Sequence, residues 1–351
     1  MFVVAVRLPE RLALSDVERA TAHCLDTVIV PVHPNNFRTV LTAMRAVADH
    51  GWQVRFLLWA KGNQVKSVPL HRFAHHPALL GWVVEQVTDV PLMAMLRATT
   101  ASGLTIAWQR PIPFTDGTLS PQPADDRWWS WLPTHDPDAL FPVVVDALLR
   151  GARSVCFTAL PRDSDAVERE QLKALASVAV QLRLWQPLLA ERAESVDIAA
   201  DNAQGRGWRL RDGEWLLLVT PLAPGASVAC ALPFPVPEGV RAYGVRFPAL
   251  QRFPLQRKGS GTFLRLGRLV GTELVWLTGD RDRTARMHQR ADELLPKAMQ
   301  FAVQWVLARK ERIGQLSATL SRRLWQMLQA AKRRQFHHAY SLATDLLSQL
   351  R

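Results

Sequence analysis

Leu79-Leu80-Gly81-Trp82-Val83-Val84-Glu85 is a run of seven residues, apolar until it ends on a carboxylate. Apolar runs this short read as β-strands. Segments of the same type recur on both sides of it. Phe2–Leu8, Thr27–Val32 and Gln53–Ala60 precede it, and Leu104–Gln109, Trp128–Leu132 and Ser154–Ala159 follow. Helical patterns lie between them. In Phe37–Asp49, Val40, Met44 and Val47 recur at spacings of three and four, with Asn36 placed to cap and Gly51 to stop the helix. Strand and helix in alternation imply right-handed βαβ crossovers and a parallel sheet.

Seven such strands with no reversal of pattern fit a closed barrel better than an open sheet. A typical eight-stranded barrel takes ~250 residues, and the alternating region covers only residues 1–195. A shortened (β/α)8-like barrel is therefore expected, with at least one βα unit abbreviated or lost. The weakest stretch is Pro111–Asp126, rich in Pro, Thr, Asp and Ser, where a sixth strand belongs. A long helix, Glu168–Glu194, closes the region. Its stripe of Leu172, Leu175, Val178, Leu182, Trp185 and Leu189 reads as core packing, with a bend at Pro187.

Residues 196–280 change period. Trp208–Arg211 and Glu214–Thr220 flank Asp212-Gly213 as a hairpin. Ser227–Leu232, Val240–Phe247, Thr262–Leu266 and Glu273–Thr278 continue as strands of a small antiparallel β-sandwich, with Gln256–Gly261 as a turn. Residues 281–351 return to helices. Met299, Val303, Val306 and Leu307 form one stripe, Leu316, Leu320, Leu324 and Leu328 a second, and Tyr340, Ala343, Leu346, Leu347 and Leu350 a third. A C-terminal helical hairpin or bundle would bury them together. The fold class expected is thus multidomain α/β + β + α, divided at 1–195, 196–280 and 281–351.

Composition narrows the chemistry. With 48% hydrophobic and 21% charged residues, the chain can bury real cores, which excludes disorder as its main state. No apolar run is long enough to span a bilayer, and Phe2–Val6 is too short for a signal-peptide core, so neither is expected. Cys24, Cys156 and Cys230 are far apart and odd in number, which suits buried fillers rather than a disulfide or zinc framework. His71, His75 and His76 cluster without a Cys or acidic partner nearby, so no metal is expected. Glycine-rich nucleotide motifs and the GxSxG nucleophile elbow are missing, and no cofactor is expected. The formal net charge is +12, and residues 281–351 supply +9 of it, with 14 basic against 5 acidic side chains. Such a tail reads either as a solvated face or as a docking surface for an anionic partner, carried by Arg322-Arg323 and Lys332-Arg333-Arg334.

The run His76-Pro77-Ala78-Leu79-Leu80-Gly81-Trp82-Val83-Val84-Glu85 resembles the fourth-strand region of glycoside-hydrolase TIM barrels. Gly151-Ala152-Arg153-Ser154-Val155-Cys156-Phe157 is similar to the last barrel strand of that group, with Ser154 where its pattern has a second Gly. Val275-Trp276-Leu277-Thr278 is similar to the end of the small sandwich that often follows. The whole arrangement resembles bacterial proteins with a degenerate glycosidase-like barrel, a sandwich and a helical tail. The resemblance implies a saccharide or polysaccharide as partner and a site at the C-terminal ends of the strands.

Hydrolysis there needs two carboxyls, ~5–5.5 Å apart for retention or ~6.5–9.5 Å apart for inversion. In the resembled motif the acid falls at about Val87, which carries no proton. Glu85, two residues earlier, points to the same side of a strand; the second carboxylate belongs near the end of the seventh strand, and Asp136 lies in the loop beyond the Trp-rich segment Trp128–Leu132 that stands there. They are the candidate catalytic pair, in a pattern that has lost its standard residues. The alternative reading of Glu85 is a strand-end carboxylate paired with an Arg such as Arg7 or Arg110. The strand ends supply Arg7, His33, Asn35, Trp59, Trp108, Arg110, Trp131 and His135 as candidate saccharide contacts. Aromatic rings stack on apolar sugar faces, and the polar groups match hydroxyls. The tryptophans read alternatively as the top layer of the barrel core.

Overall fold

The computed structural model describes residues 2–61, 67–85, 96, 98–100, 104–108, 129–259 and 261–350. They fall into two compact units, one of residues 3–136 and 152–162, the other of residues 1–2, 137–151 and 163–351. No helix among the described residues is long and apolar enough to cross a membrane.

The first unit is built on β1 (Val4–Arg7), β2 (Thr27–Pro31), β3 (Arg55–Lys61), β4 (Leu79–Glu85), β5 (Leu104–Trp108), β6 (Trp129–Leu132) and β7 (Ser154–Phe157). All adjacent pairs are parallel, in the order β5-β4-β3-β2-β1-β7-β6. That order is cyclic. Successive strands step in one direction from β1 to β5, and β6 returns through β7 to β1. A doubly wound sheet would reverse direction at β1 instead, so the order fits an α/β barrel. The stretch Pro111–Asp126, where a further strand was sought, lies outside the described residues.

One face of this sheet carries a single apolar cluster of Val3, Ala5, Ile29, Leu57, Leu80, Val83 and Cys156, with Trp59 packed against it. Side chains alternate along a strand, yet Leu80 and Val83 both join the cluster. The cause is a bulge: Phe56 pairs with Leu79 but Leu57 with Gly81, so Leu80 is an extra residue. Trp82 is fully buried, donates from Nε1 to Thr99 Oγ1 at 2.8 Å and meets Phe73 edge-on. Ser154 earns its place where the glycosidase pattern has Gly: its Oγ accepts from Val3 N at 3.1 Å, tying β7 to the start of β1.

Helices α1 (Leu14–Ala22) and α2 (Phe37–Asp49) belong to this unit. Helix α2 has the limits expected, and Gly51 adopts a φ of +64° just past its end. Asn36 occupies the cap position but makes no capping bond. Its Oδ1 accepts from His33 N and its Nδ2 donates to Pro31 O, so it braces the preceding loop instead.

The second unit contains α3 (Leu140–Leu149), α4 (Ala166–Ala190) and a nine-stranded antiparallel sheet. Its strands are β8 (Ser195–Ala200), β9 (Ala203–Arg209), β10 (Trp215–Pro221), β11 (Ala226–Leu232), β12 (Arg241–Gly244), β13 (Gln251–Phe253), β14 (Leu255–Lys258), β15 (Gly261–Leu269) and β16 (Glu273–Thr278). They run in the order β13-β12-β16-β10-β9-β8-β11-β15-β14. Leu217, Val219, Val275 and Leu277 from one half share a core with Val228, Cys230, Leu264 and Leu266 from the other. The hairpin at Asp212-Gly213 forms as expected, with both residues at positive φ.

Strands β8, β13 and β14 were not expected. In β8, Val196, Ile198 and Ala200 alternate toward the core, though only Ile198 is buried, while β13 and β14 are the polar edges of the sheet and carry no apolar alternation. Gly244 of β12 is required by close packing. A Cβ there would run into Glu273 Oε1 and lie 2.7 Å from Phe253 Cε2. Gly244→Ala is expected to cost about 1–3 kcal/mol in urea unfolding, and an unchanged midpoint would contradict this packing.

Helix α4 starts two residues before the expected limit, capped by Asp165, which accepts from Glu168 N. All six residues of its expected stripe are buried, and Trp185 Nε1 donates to Val245 O at 2.6 Å. Helices α5 (Arg281–Ile313), α6 (Ala318–Lys332) and α7 (Phe336–Gln349) follow. Asp280 caps α5 and Ser317 caps α6. Their shared core holds Val303, Val306, Met327, Ala343, Leu346 and Leu347. Leu307 and Leu328, expected in that core, are instead 38% and 37% exposed.

Candidate functional site

The C-terminal ends of the parallel strands gather most of the candidate residues, because every strand points the same way. Arg7 ends β1, and Trp59 sits near the end of β3, with β2 between them in the sheet. Their strand positions place them on the face that carries Ala5 and Leu57. The Arg7 guanidinium lies over the Trp59 ring, 4.1 Å from its centroid. A cation so placed is held by the ring quadrupole. Both side chains are half-buried, with the apolar cluster on the same face.

Glu85 is the last residue of β4, its backbone paired with Lys61 on one side and Trp108 on the other. That register is two residues beyond the Trp59–Val83 pair. Trp108 ends β5. Trp131 lies lower, in the row of Cys156 and Ala5. Arg110 lies outside the described residues.

His33 and Asn35 form the turn after β2. His33 Nδ1 accepts from Asn35 N at 3.3 Å, His33 is half-buried and Asn35 is exposed. His135 and Asp136 are exposed in the loop after β6. The structure thus brings Arg7 and Trp59 into contact, with Glu85 and Trp108 ending their strands and His33, Asn35, His135 and Asp136 in the loops that follow β2 and β6.

Two neighbouring groups are built for structure. Burial pushes the Cys156 thiol well above its usual range, against the opposing pull of Arg7, so it is no nucleophile at neutral pH. His76 Nδ1 accepts from Ala78 N at 3.2 Å, and burial, helped by Arg45, lowers its pKa, which keeps the ring neutral and fixes the entry to β4. All three cysteines are buried and free.

No protein-family model matches the chain, and no curated protein matches it in sequence. Solved structures do. The fold is similar to that of several glycoside hydrolases. An α-fucosidase from Thermotoga maritima shares 9% identity and a TM-score of 0.45 over 76% of this chain and 79% of its own. A Bacillus halodurans protein, provisionally assigned as an α-N-acetylgalactosaminidase, shares 10% identity and a TM-score of 0.45 over 80% and 97%. The catalytic domain of xylanase C from Talaromyces cellulolyticus shares 10% identity and a TM-score of 0.31 over 72% and 62%. Likeness at these values says nothing of substrate or activity, and the barrel-type fold rests on the strand order above.

Two features went unread in the sequence. One is the contact of Arg7 with Trp59, which joins strands that are not neighbours. The other is an exposed apolar stripe on α6 that includes Trp325, 62% exposed. Its signal was Trp325, one residue outside the stripe of Leu320, Leu324 and Leu328.

Proposed function

We propose that the strand ends of the barrel-type unit bind a saccharide, with Trp59 as the stacking platform and Arg7 as its hydrogen-bonding flank. The observation that carries this reading is the Arg7–Trp59 stack at 4.1 Å, half-exposed at the C-terminal ends of β1 and β3. A ring fixed by a guanidinium keeps its orientation, and a sugar presents C–H faces to a ring and hydroxyls to N–H donors. Trp108, Trp131, His33, Asn35, Arg110 and His135 are the further contacts expected around it. In this reading the standard glycosidase pair has been lost, since Val87 stands at the usual acid position. The division at 1–195, 196–280 and 281–351 assigns the saccharide to the first part.

Affinity electrophoresis on a panel of soluble polysaccharides tests it. Retardation of the native chain on at least one polymer is expected, weakened about tenfold or more in Trp59→Ala and little changed by salt. Retardation that Trp59→Ala leaves intact would remove Trp59 from the reading.

A second reading makes the chain an unconventional glycosidase with Glu85 as acid and Asp136 as its partner. The position of Glu85 as the last residue of β4 favours it. Release of reducing ends that vanishes in Glu85→Gln would establish this reading. Binding without release would leave the saccharide-binding one.

A further inference from the structure

The apolar stripe of helix α6 is wider than the core it packs against. Met327 and Ala330 are buried against the neighbouring helices, with Leu320 and Ala331 packed around that core. Beside that core Ser321, Leu324, Trp325 and Leu328 follow the i, i+3, i+4, i+7 spacing of a helical stripe, and Leu324 also packs against the core, so that Trp325 and Leu328 form the stripe's exposed edge. Trp325 is 62% exposed and Leu328 37%. With Lys310 and Leu316 they line a groove of about 490 Å³ between the end of α5 and α6. Exposed apolar side chains that line a concavity mark interaction sites.

The charge around the groove selects its occupant. Residues 310–334 hold seven cations and one carboxylate, Glu311. Glu311 is taken by Arg169 at 2.6 Å, and Arg312 is taken by Glu170 at 2.5 Å. Lys310, Arg322, Arg323, Lys332, Arg333 and Arg334 remain exposed and enter no ion pair among the described residues. Lys332 extends the stripe one turn beyond Leu328, and Arg322 lies one turn before Trp325. A second copy on the same face would set six cations against six. A flat bilayer would leave the concave groove unfilled.

We infer that this groove docks an acidic amphipathic helix of a partner protein, whose apolar stripe fills it while flanking carboxylates meet the cations. This is the helix-in-groove mode of recognition. Trp325 is the anchor, as buried tryptophans are at interface centres, and the cations steer the approach. The inference is independent of the saccharide site.

The probe is a fluorescein-labelled helical peptide of about 18 residues, a length that spans the groove, with Leu along one stripe and Glu on its flanks. A second peptide keeps the stripe and carries Lys. Fluorescence anisotropy with the full chain is expected to show saturable binding of the Glu peptide and none of the Lys peptide. Trp325→Ser should weaken binding about tenfold or more, and so should Arg322→Glu combined with Lys332→Glu. Thermal unfolding of these surface variants should match that of the native chain. No saturable binding of the Glu peptide would overturn the inference, as would equal binding by Trp325→Ser or equal binding of both peptides. A native dimer that Trp325→Ser dissociates would assign the groove to a second copy. Flotation with phosphatidylserine vesicles that Trp325→Ser abolishes would assign it to a membrane.

Discussion

Glu170→Leu is expected to remove about 3–5 kcal/mol of folding stability, because it strands a buried cation. Arg309 on α5 has no exposed surface. Its Nε donates to Glu170 Oε1 at 2.6 Å and its Nη2 to Asp138 Oδ1 at 2.9 Å, while Trp305 lies 5.4 Å from the guanidinium. Glu170 on α4 is itself buried and also receives Arg312 at 2.5 Å. Without Glu170, Arg312 can turn to water, but Arg309 cannot follow it. The remaining Asp138 is on the rim, 37% exposed. Replacing both members, Glu170→Leu with Arg309→Met, removes the stranded charge and should recover most of the loss. Urea unfolding followed by circular dichroism reads both effects. A single variant within about 1 kcal/mol of the native chain would mean that Arg309 finds other partners.

Glu273→Gln is expected to act in the opposite direction, and only above mid-acid pH. Glu273 opens β16 and is 3% exposed. Its Oε2 meets Arg246 at 3.2 Å, and its Oε1 has no hydrogen-bond partner among the described residues. Burial pushes its carboxyl up from 4.5 to about 7, with Arg246 opposing the rise. Between those values the unfolded chain has released the proton that the folded chain still holds, so rising pH favours unfolding. The contribution is whole below about 4.5 and is lost as pH climbs through about 7. The full swing is about 3 kcal/mol. Glu273→Gln keeps the shape and cannot ionise. It should match the native chain in acid and exceed it by up to about 3 kcal/mol at mildly alkaline pH. Parallel stability profiles for the two proteins would show that folding leaves the Glu273 carboxyl unshifted.

Much of the architecture was readable because its elements have distinct periods. Leu79–Glu85, Phe37–Asp49 and the Asp212-Gly213 hairpin formed where pattern and turn chemistry placed them. Polar edge strands were not readable, since β13 and β14 bury too little to leave an alternation. Asn36 was read as a cap from its position, yet its amide is engaged by the loop before it. Leu328 was assigned to a core stripe because spacing cannot say which side of a helix finds a neighbour. The strand ends named Arg7 and Trp59 separately. Their contact needs β2 between β1 and β3 and a long side chain to cross it, and neither is written locally. The Glu170–Arg309 pair joins residues 139 positions apart, beyond the reach of any local pattern.

The most direct test of the saccharide site is the indole N–H spectrum of the ¹⁵N-labelled chain during titration with the polysaccharide it retains. Trp59 is identified by the resonance that disappears in Trp59→Phe. The expected result is a saturable shift of the Trp59 signal at the concentrations that retard the protein, with the Trp325 signal unmoved. A saturating titration in which Trp59 stays fixed while other indoles shift would place the sugar elsewhere and contradict the site at the strand ends.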